Sequence, residues 1–205
     1  MKNITKNIVI LFTNILISNI LFSQTGTLDT TFGIGGKISN NFGPNNQAFD
    51  STIQNDGKII VVGNNYSSAP GSSFLVTRYL TNGNLDLSFG NSGYITTLVG
   101  DHCSAHSVLL QSDGKIVVAG NAYAQSGNIL SSDIMIVRYN NDGTLDTTFN
   151  VGTGPNGIVR TTSIQSDGKI IIAGDFTSYN GSGKNRIARI NGVSTSAPTG
   201  NTNQT

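Results

Sequence analysis

Three short runs of consecutive apolar residues punctuate the chain: Ile59–Val62, Ile116–Ala119 and Ile170–Ala173. None of them alternates with polar residues, so each reads as a strand covered on both faces. Each run follows the same signal, Asp56-Gly57-Lys58, Asp113-Gly114-Lys115 or Asp167-Gly168-Lys169. Asp-Gly between two extended stretches predicts a β-hairpin with a type I′ turn. The strands entering the turn are 48–54, 105–111 and 159–165. The first Asp-Gly precedes the second by 57 residues, and the second precedes the third by 54. Self-similarity at such a period predicts one supersecondary unit that stacks on its copies to share a core.

A second pattern alternates with the first. It reads Gly26-Thr27-Leu28-Asp29-Thr30-Thr31-Phe32, then Gly83-Asn84-Leu85-Asp86-Leu87-Ser88-Phe89, then Gly143-Thr144-Leu145-Asp146-Thr147-Thr148-Phe149. Gly and Asp predict a compact turn with the Asp side chain capping nearby donors and the Leu and Phe packed inward. A further strand lies between the two patterns at 74–79, 134–139 and 186–190, carrying Arg78, Arg138 and Arg189 at one repeated position. A short fourth strand follows the Leu-Asp turn at 93–99. Four antiparallel strands in a meander define a propeller blade. The expected fold is therefore all-β, built from repeated four-stranded antiparallel blades.

Paired at this spacing, the Asp-Gly-Lys-Ile and Gly-x-Leu-Asp-x-x-Phe motifs resemble the delta-60 repeats, tandem units of under sixty residues in exported bacterial proteins. The resemblance covers Gly26 to Gly192. It implies β-propeller blades and a cell-surface location, and it transfers no catalytic residue, ligand or cofactor.

The repeats divide the chain into units at about 47–99, 104–154 and 159–192, within a repeat domain spanning 25–192. An orphan fourth strand is expected at 36–42. The last Leu-Asp to Asp-Gly spacing is 21 residues instead of 27, so 150–157 reads as a loop where the first unit has its fourth strand. Propellers use about 4–8 blades. Three units therefore predict an open arc, a piece of a longer surface protein, or a ring completed by a homo-oligomer.

Composition refines this picture at the ends. Residues 1–24 place Lys2 and Lys6 before an interrupted apolar run from Ile8 to Phe22, the pattern of a signal peptide cleaved near Ser23-Gln24. Export to the cell surface or extracellular space follows, with the periplasm as the alternative compartment and no transmembrane span in the mature chain. Residues 193–205 contain Ser, Thr, Asn, Gly and Pro, the composition of a linker or disordered tail. Only 11% of residues are charged and the net charge is +1, which argues against nucleic acid as a partner.

Candidate chemistry is sparse. His102, Cys103 and His106 gather both histidines and the sole cysteine of the chain. Imidazole and thiolate suit a zinc or copper site or a Cys-His nucleophile, which gives a metal-assisted hydrolase as the alternative to a non-enzymatic module. Against it, the matching positions of the other units carry Phe49 and Arg160 in place of His106. Residues 140–146 place oxygen ligands around a Gly turn and are similar to a calcium loop, but the other copies lose most of those oxygens. The three lysines read as solvated hairpin residues. The variable loops 64–72, 121–132 and 175–184 each carry a tyrosine: Tyr66, Tyr123 and Tyr179. Aromatic rings among small polar neighbours suit glycan or protein contacts.

Overall fold

A computed structural model of the chain describes residues 26–66, 71–98, 101–126, 129–133, 136–183 and 185–192, with the side chains of 123–135 outside the described set. The predicted signal peptide, the tail and the side chain of Tyr123 thus lie outside the described residues. The first unit is the expected meander. β1 (Asn45–Ile53), β2 (Ile59–Tyr66), β3 (Ser72–Tyr79) and β4 (Tyr94–Thr97) pair in sequence, all antiparallel. In the second unit β5 (His102–Leu110) pairs β6 (Ile116–Ser126), and both β7 (Ile129–Asp133) and β8 (Ile136–Tyr139) pair β6. The third has β9 (Val159–Ile164), β10 (Ile170–Gly174) and the edge strand β13 (Ile187–Ile190). A small hairpin, β11 (Ser178–Tyr179) with β12 (Ser182–Gly183), stands in its variable loop. One parallel bridge, Ser72 to His102, joins the first two units at their edges.

The units stack face to face. Ile60, Val62, Phe74, Val76 and Phe89 of the first pack against Cys103, Val108, Ile116, Val118 and Tyr139 of the second. Leu109, Val117, Ala119 and Ile136 of the second pack against Val159, Ile170, Ile172 and Ile190 of the third. Successive β6 residues thus point to opposite neighbours, and the continuous apolar run from Ile116 to Ala119 is fully buried. The same run in the outer units is covered on one side only: Ile60 and Val62 are buried while Ile59 and Val61 are half-buried, and Ile170 and Ile172 are buried while Ile171 is half-buried. The expectation of two-sided burial therefore holds for the middle unit and is corrected for its neighbours.

The hairpin turns also differ from expectation. Gly57 N donates to Gln54 O at 2.8 Å, and Gln54 N donates to Lys58 O at 2.8 Å. Gly57 has φ +81°, while Asp56 stays in the ordinary negative-φ range. This is a type I turn closed by a left-handed glycine, with three loop residues and not two. The second and third hairpins repeat it, with Gly114 at φ +83° and Gly168 at φ +81°.

Each entering strand carries a bulge at one repeated position, where Phe49, His106 and Arg160 are the extra residues. Gly63, Gly120 and Gly174, which close the three apolar runs, lie against these bulges. A Cβ on any of them would collide with the backbone carbonyl of Gln47, Ser104 or Ile158, respectively.

Residues 36–42 form no strand. Only a bridge between Gly33 and Lys37 is present, because the strand on which this segment would pair in a complete blade is absent from the described residues. Residues 150–157 lack a strand as expected, with one bridge from Pro155 to Tyr179. Among the described residues the sheets do not close into a ring.

Candidate functional site

The polar residues of the repeats build two kinds of local structure, one buried between units and one at the loop ends. The buried kind begins with the Leu-Asp turn. Asp86 Oδ1 accepts the Ser88 backbone N–H at 3.1 Å and the Ser88 hydroxyl at 2.6 Å. Its other oxygen accepts Arg78 Nε at 2.8 Å and lies 3.2 Å from Lys58 Nζ. The second unit repeats this: Asp146 Oδ1 receives Thr148, while Oδ2 receives Lys115 Nζ at 2.6 Å and Arg138 Nε at 2.8 Å. The Arg78 guanidinium lies 4.6 Å from the Phe89 ring centre, and that of Arg138 lies 4.4 Å from Phe149. Lys58 and Lys115 are therefore members of buried-end ion clusters, a correction to their reading as solvated residues. The motif leucines are corrected too: Phe89 is fully buried, but Leu28 and Leu145 are half exposed.

These clusters set the carboxyl groups' acidity. At Asp86 burial pushes the pKa upward, and the Ser88 hydrogen bonds, Lys58 and Arg78 outweigh it, holding the group well below the usual carboxylate range. Lys115, then Thr148, do the same for Asp146. Asp142 is occupied by Thr144 N and Oγ1, so the carboxylates of the 140–146 loop are engaged with the protein itself.

The clusters also lock unit to unit. Arg78 Nη1 donates to Asn141 O at 2.6 Å and Gln54 Nε2 donates to Asn141 Oδ1 at 2.8 Å. One unit later, Arg138 Nη1 and Gln111 Nε2 each donate to Gly192 O at 2.6 Å. Asn141 and Gly192 occupy the same place, two residues after Tyr139 and Ile190. Two further links recur: Gly33 N to Asn82 O and Gly90 N to Asp142 O, both at 2.9 Å. Likewise Val108 N donates to Asp50 Oδ2 and Thr162 N to Ser107 Oγ.

The loop ends hold the sequence-predicted site residues. Tyr66, 44% exposed, stacks on the His102 ring with centroids 6.2 Å apart and planes 13° off parallel. His102 pairs through its backbone with Tyr123, so three candidate positions converge at one end of the first two units. Tyr179 is elsewhere, half-buried in the third unit with its hydroxyl donating to Val151 O at 3.1 Å, and burial pushes its pKa up. The three tyrosines are thus not one surface.

The His-Cys-His cluster is divided. Cys103 faces the core, 1% exposed, its Sγ 3.2 Å from Ser72 O. His102 lies along Tyr66, and His106 sits at the bulge with Nε2 2.6 Å from Asn121 Oδ1 and its ring 5.2 Å from that of Phe49. Among the described residues no group of three His, Cys, Asp or Glu is placed to hold a metal ion. The position facing the bulge residue was not singled out from sequence. Asn121 there meets His106 and Asp175 meets Arg160, and its signal is that it directly follows the closing glycine of each run.

Stacked antiparallel blades with repeated interlocks define a β-propeller repeat protein whose arc is open. A family model agrees, matching residues 54–89, 111–149 and 165–195, just over half of the chain. The chain belongs to this family, described as a domain of unknown function (DUF5122), beta-propeller. A search of the curated proteins gave no match. No helix among the described residues is long and apolar enough to cross a membrane.

Proposed function

We propose that this protein is an exported, non-enzymatic repeat module that serves in binding or as structure at the cell surface. The observation that carries the reading is the contrast between the buried polar groups and the loop end. Asp86 and Asp146 are engaged in holding Arg78 and Arg138, whose guanidinium groups reach across to the next unit. The Tyr66–His102 stack instead offers an exposed aromatic face next to the variable loops. Such a face provides contact area with few rotors to immobilise, which suits a glycan ring or a peptide. The likeness to delta-60 repeats and the Lys2-to-Phe22 leader support export.

Binding to a glycan array and a peptide library tests the reading. Tyr66→Ala is expected to weaken the bound class at least about tenfold, as loss of one central aromatic contact does. Binding unchanged by Tyr66→Ala and Tyr123→Ala alike would remove this face. N-terminal sequencing of the product in the medium checks export, with a start near Gln24 expected.

A further inference from the structure

The interlock between units has a sender and a receiver, and the two ends of the array each carry one half. In the third unit Lys169, Arg189 and Gln165 occupy the positions of Lys115, Arg138 and Gln111. Arg138 is 3% exposed and Gln111 is 5% exposed, whereas Arg189 and Gln165 are exposed. The acid eight residues after Arg78 is Asp86 and the one after Arg138 is Asp146, but eight residues after Arg189 stands Ala197. Among the described residues Arg189 makes no close ion pair, its charge reaching only the hairpin carboxylate Asp167 from a distance, and Lys169 pairs with that same Asp167 of its own turn.

The opposite half lies at the start of the repeats. Asp29 Oδ1 accepts Thr31 N at 3.0 Å and Thr31 Oγ1 at 2.6 Å, the arrangement of Asp86 with Ser88. Its Oδ2, the oxygen that in Asp86 and Asp146 takes the Arg and Lys, has no partner among the described residues. Eight residues before Asp29 the Arg position carries Leu21. Phe32, whose counterpart Phe89 lies fully buried under Arg78, is half-buried. The backbone edges match as well. β13 has a strand only on its β10 side, where the corresponding β3 also holds β4. Residues 37–40, the counterparts of β4, form no ladder, and a groove of about 770 Å³ lined by Ile34, Ile38, Leu85 and Tyr94 opens beside them.

We propose that a second copy of this chain supplies each missing half: β9, β10 and β13 of one copy and residues 26–42 of the other form one composite blade. Arg189 and Lys169 of one protomer grip Asp29 of its partner, and Phe32 of the partner slides beneath the guanidinium. A single chain closing on itself would make a three-bladed ring, below the range of about 4–8 blades that propellers use, while two copies make six. The two junctions are then identical and related by a two-fold axis, so the ring closes and the outer edge of β13 is covered.

Charge reversal tests this because Asp29 and Arg189 are both exposed and their replacement leaves each protomer's own core intact. Light scattering after gel filtration of the full chain is expected to give twice the chain mass. Arg189→Glu and Asp29→Arg are each expected to give monomers with an unchanged circular dichroism spectrum. Mixing the two variants restores the dimer, because both junctions then pair opposite charges. A monomeric wild type, an open-ended series of larger assemblies, or a dimer indifferent to both reversals would each overturn the proposal. So would failure of the mixture to dimerise while the single variants remain folded.

Discussion

The second and third blades are written in nearly the same words, yet they inhabit different surroundings. Val117 is fully buried and its counterpart Ile171 half-buried. Arg138 lies between Asp146, Gln111 and Gly192, and its counterpart Arg189 faces solvent. The difference teaches that the Asp-Gly-Lys and Arg positions do not describe a self-contained blade. They describe half of a contact, whose other half is the Leu-Asp turn and the next unit's carbonyl. A buried charge in such a contact stabilises only when its partners are all in place.

Substitutions at matched positions sharpen this comparison. The largest effect is expected for Arg138→Ala, which leaves Asp146 buried without its guanidinium partner and should lower unfolding free energy by about 3–5 kcal/mol in urea titrations. Arg189→Ala, measured at a dilution where chains are separate, should stay within about 0.5 kcal/mol. Equal losses at the two sites would erase the distinction between the blades. Next comes Ile116→Ala, which opens a cavity in the core between the first two blades and should cost about 2–5 kcal/mol. Ile187→Ala, at a side chain 60% exposed, should cost under about 1 kcal/mol by comparison.

Acid provides a third comparison. The folded-state pKa of Asp86 and Asp146 is held below the unfolded value of about 3.9. Their contribution is therefore complete above about pH 5 and is lost as pH falls through 4 toward the folded value. Stability should drop by on the order of 2 kcal/mol across that window, and Asp146→Asn should flatten the slope while lowering stability at neutral pH. A pH profile identical in wild type and Asp146→Asn would show that the cluster contributes nothing. Gly120→Ala, where the new methyl group meets the Ser104 backbone carbonyl across the bulge, is expected to cost about 1–3 kcal/mol. Gly183→Ala, with open space around it, should be neutral in the same melt.

Apart from the strand expected at 36–42, which does not form, strand identity and blade order were legible in the sequence because three copies of the same run agree, and the shortened third spacing disclosed the loop at 150–157. What stayed hidden depends on the neighbour and not on the residue. Lys58 reads as a solvated hairpin lysine until Asp86, distant in sequence, is brought within 3.2 Å. Turn type was misread because Asp-Gly fits two hairpin geometries, and the one adopted keeps Asp56 at negative φ to cap Lys58 N at 3.1 Å. The candidate site was less legible. Period-two alternation along β5 turns Cys103 away from His102, but nothing local to Tyr66 signals that His102 will lie flat against it across the blade boundary.

The reach of Arg78 has a consequence for how the chain comes into being. Its Nη1 closes on a carbonyl 63 residues further along, and Arg138 closes on one 54 residues further. A polypeptide emerging from its N-terminus presents the residues of the first blade's ion pair well before the capping carbonyl of the next blade. Each ion pair is therefore capped by the blade that follows it, so the fastening runs in one direction along the chain, like a row of clasps.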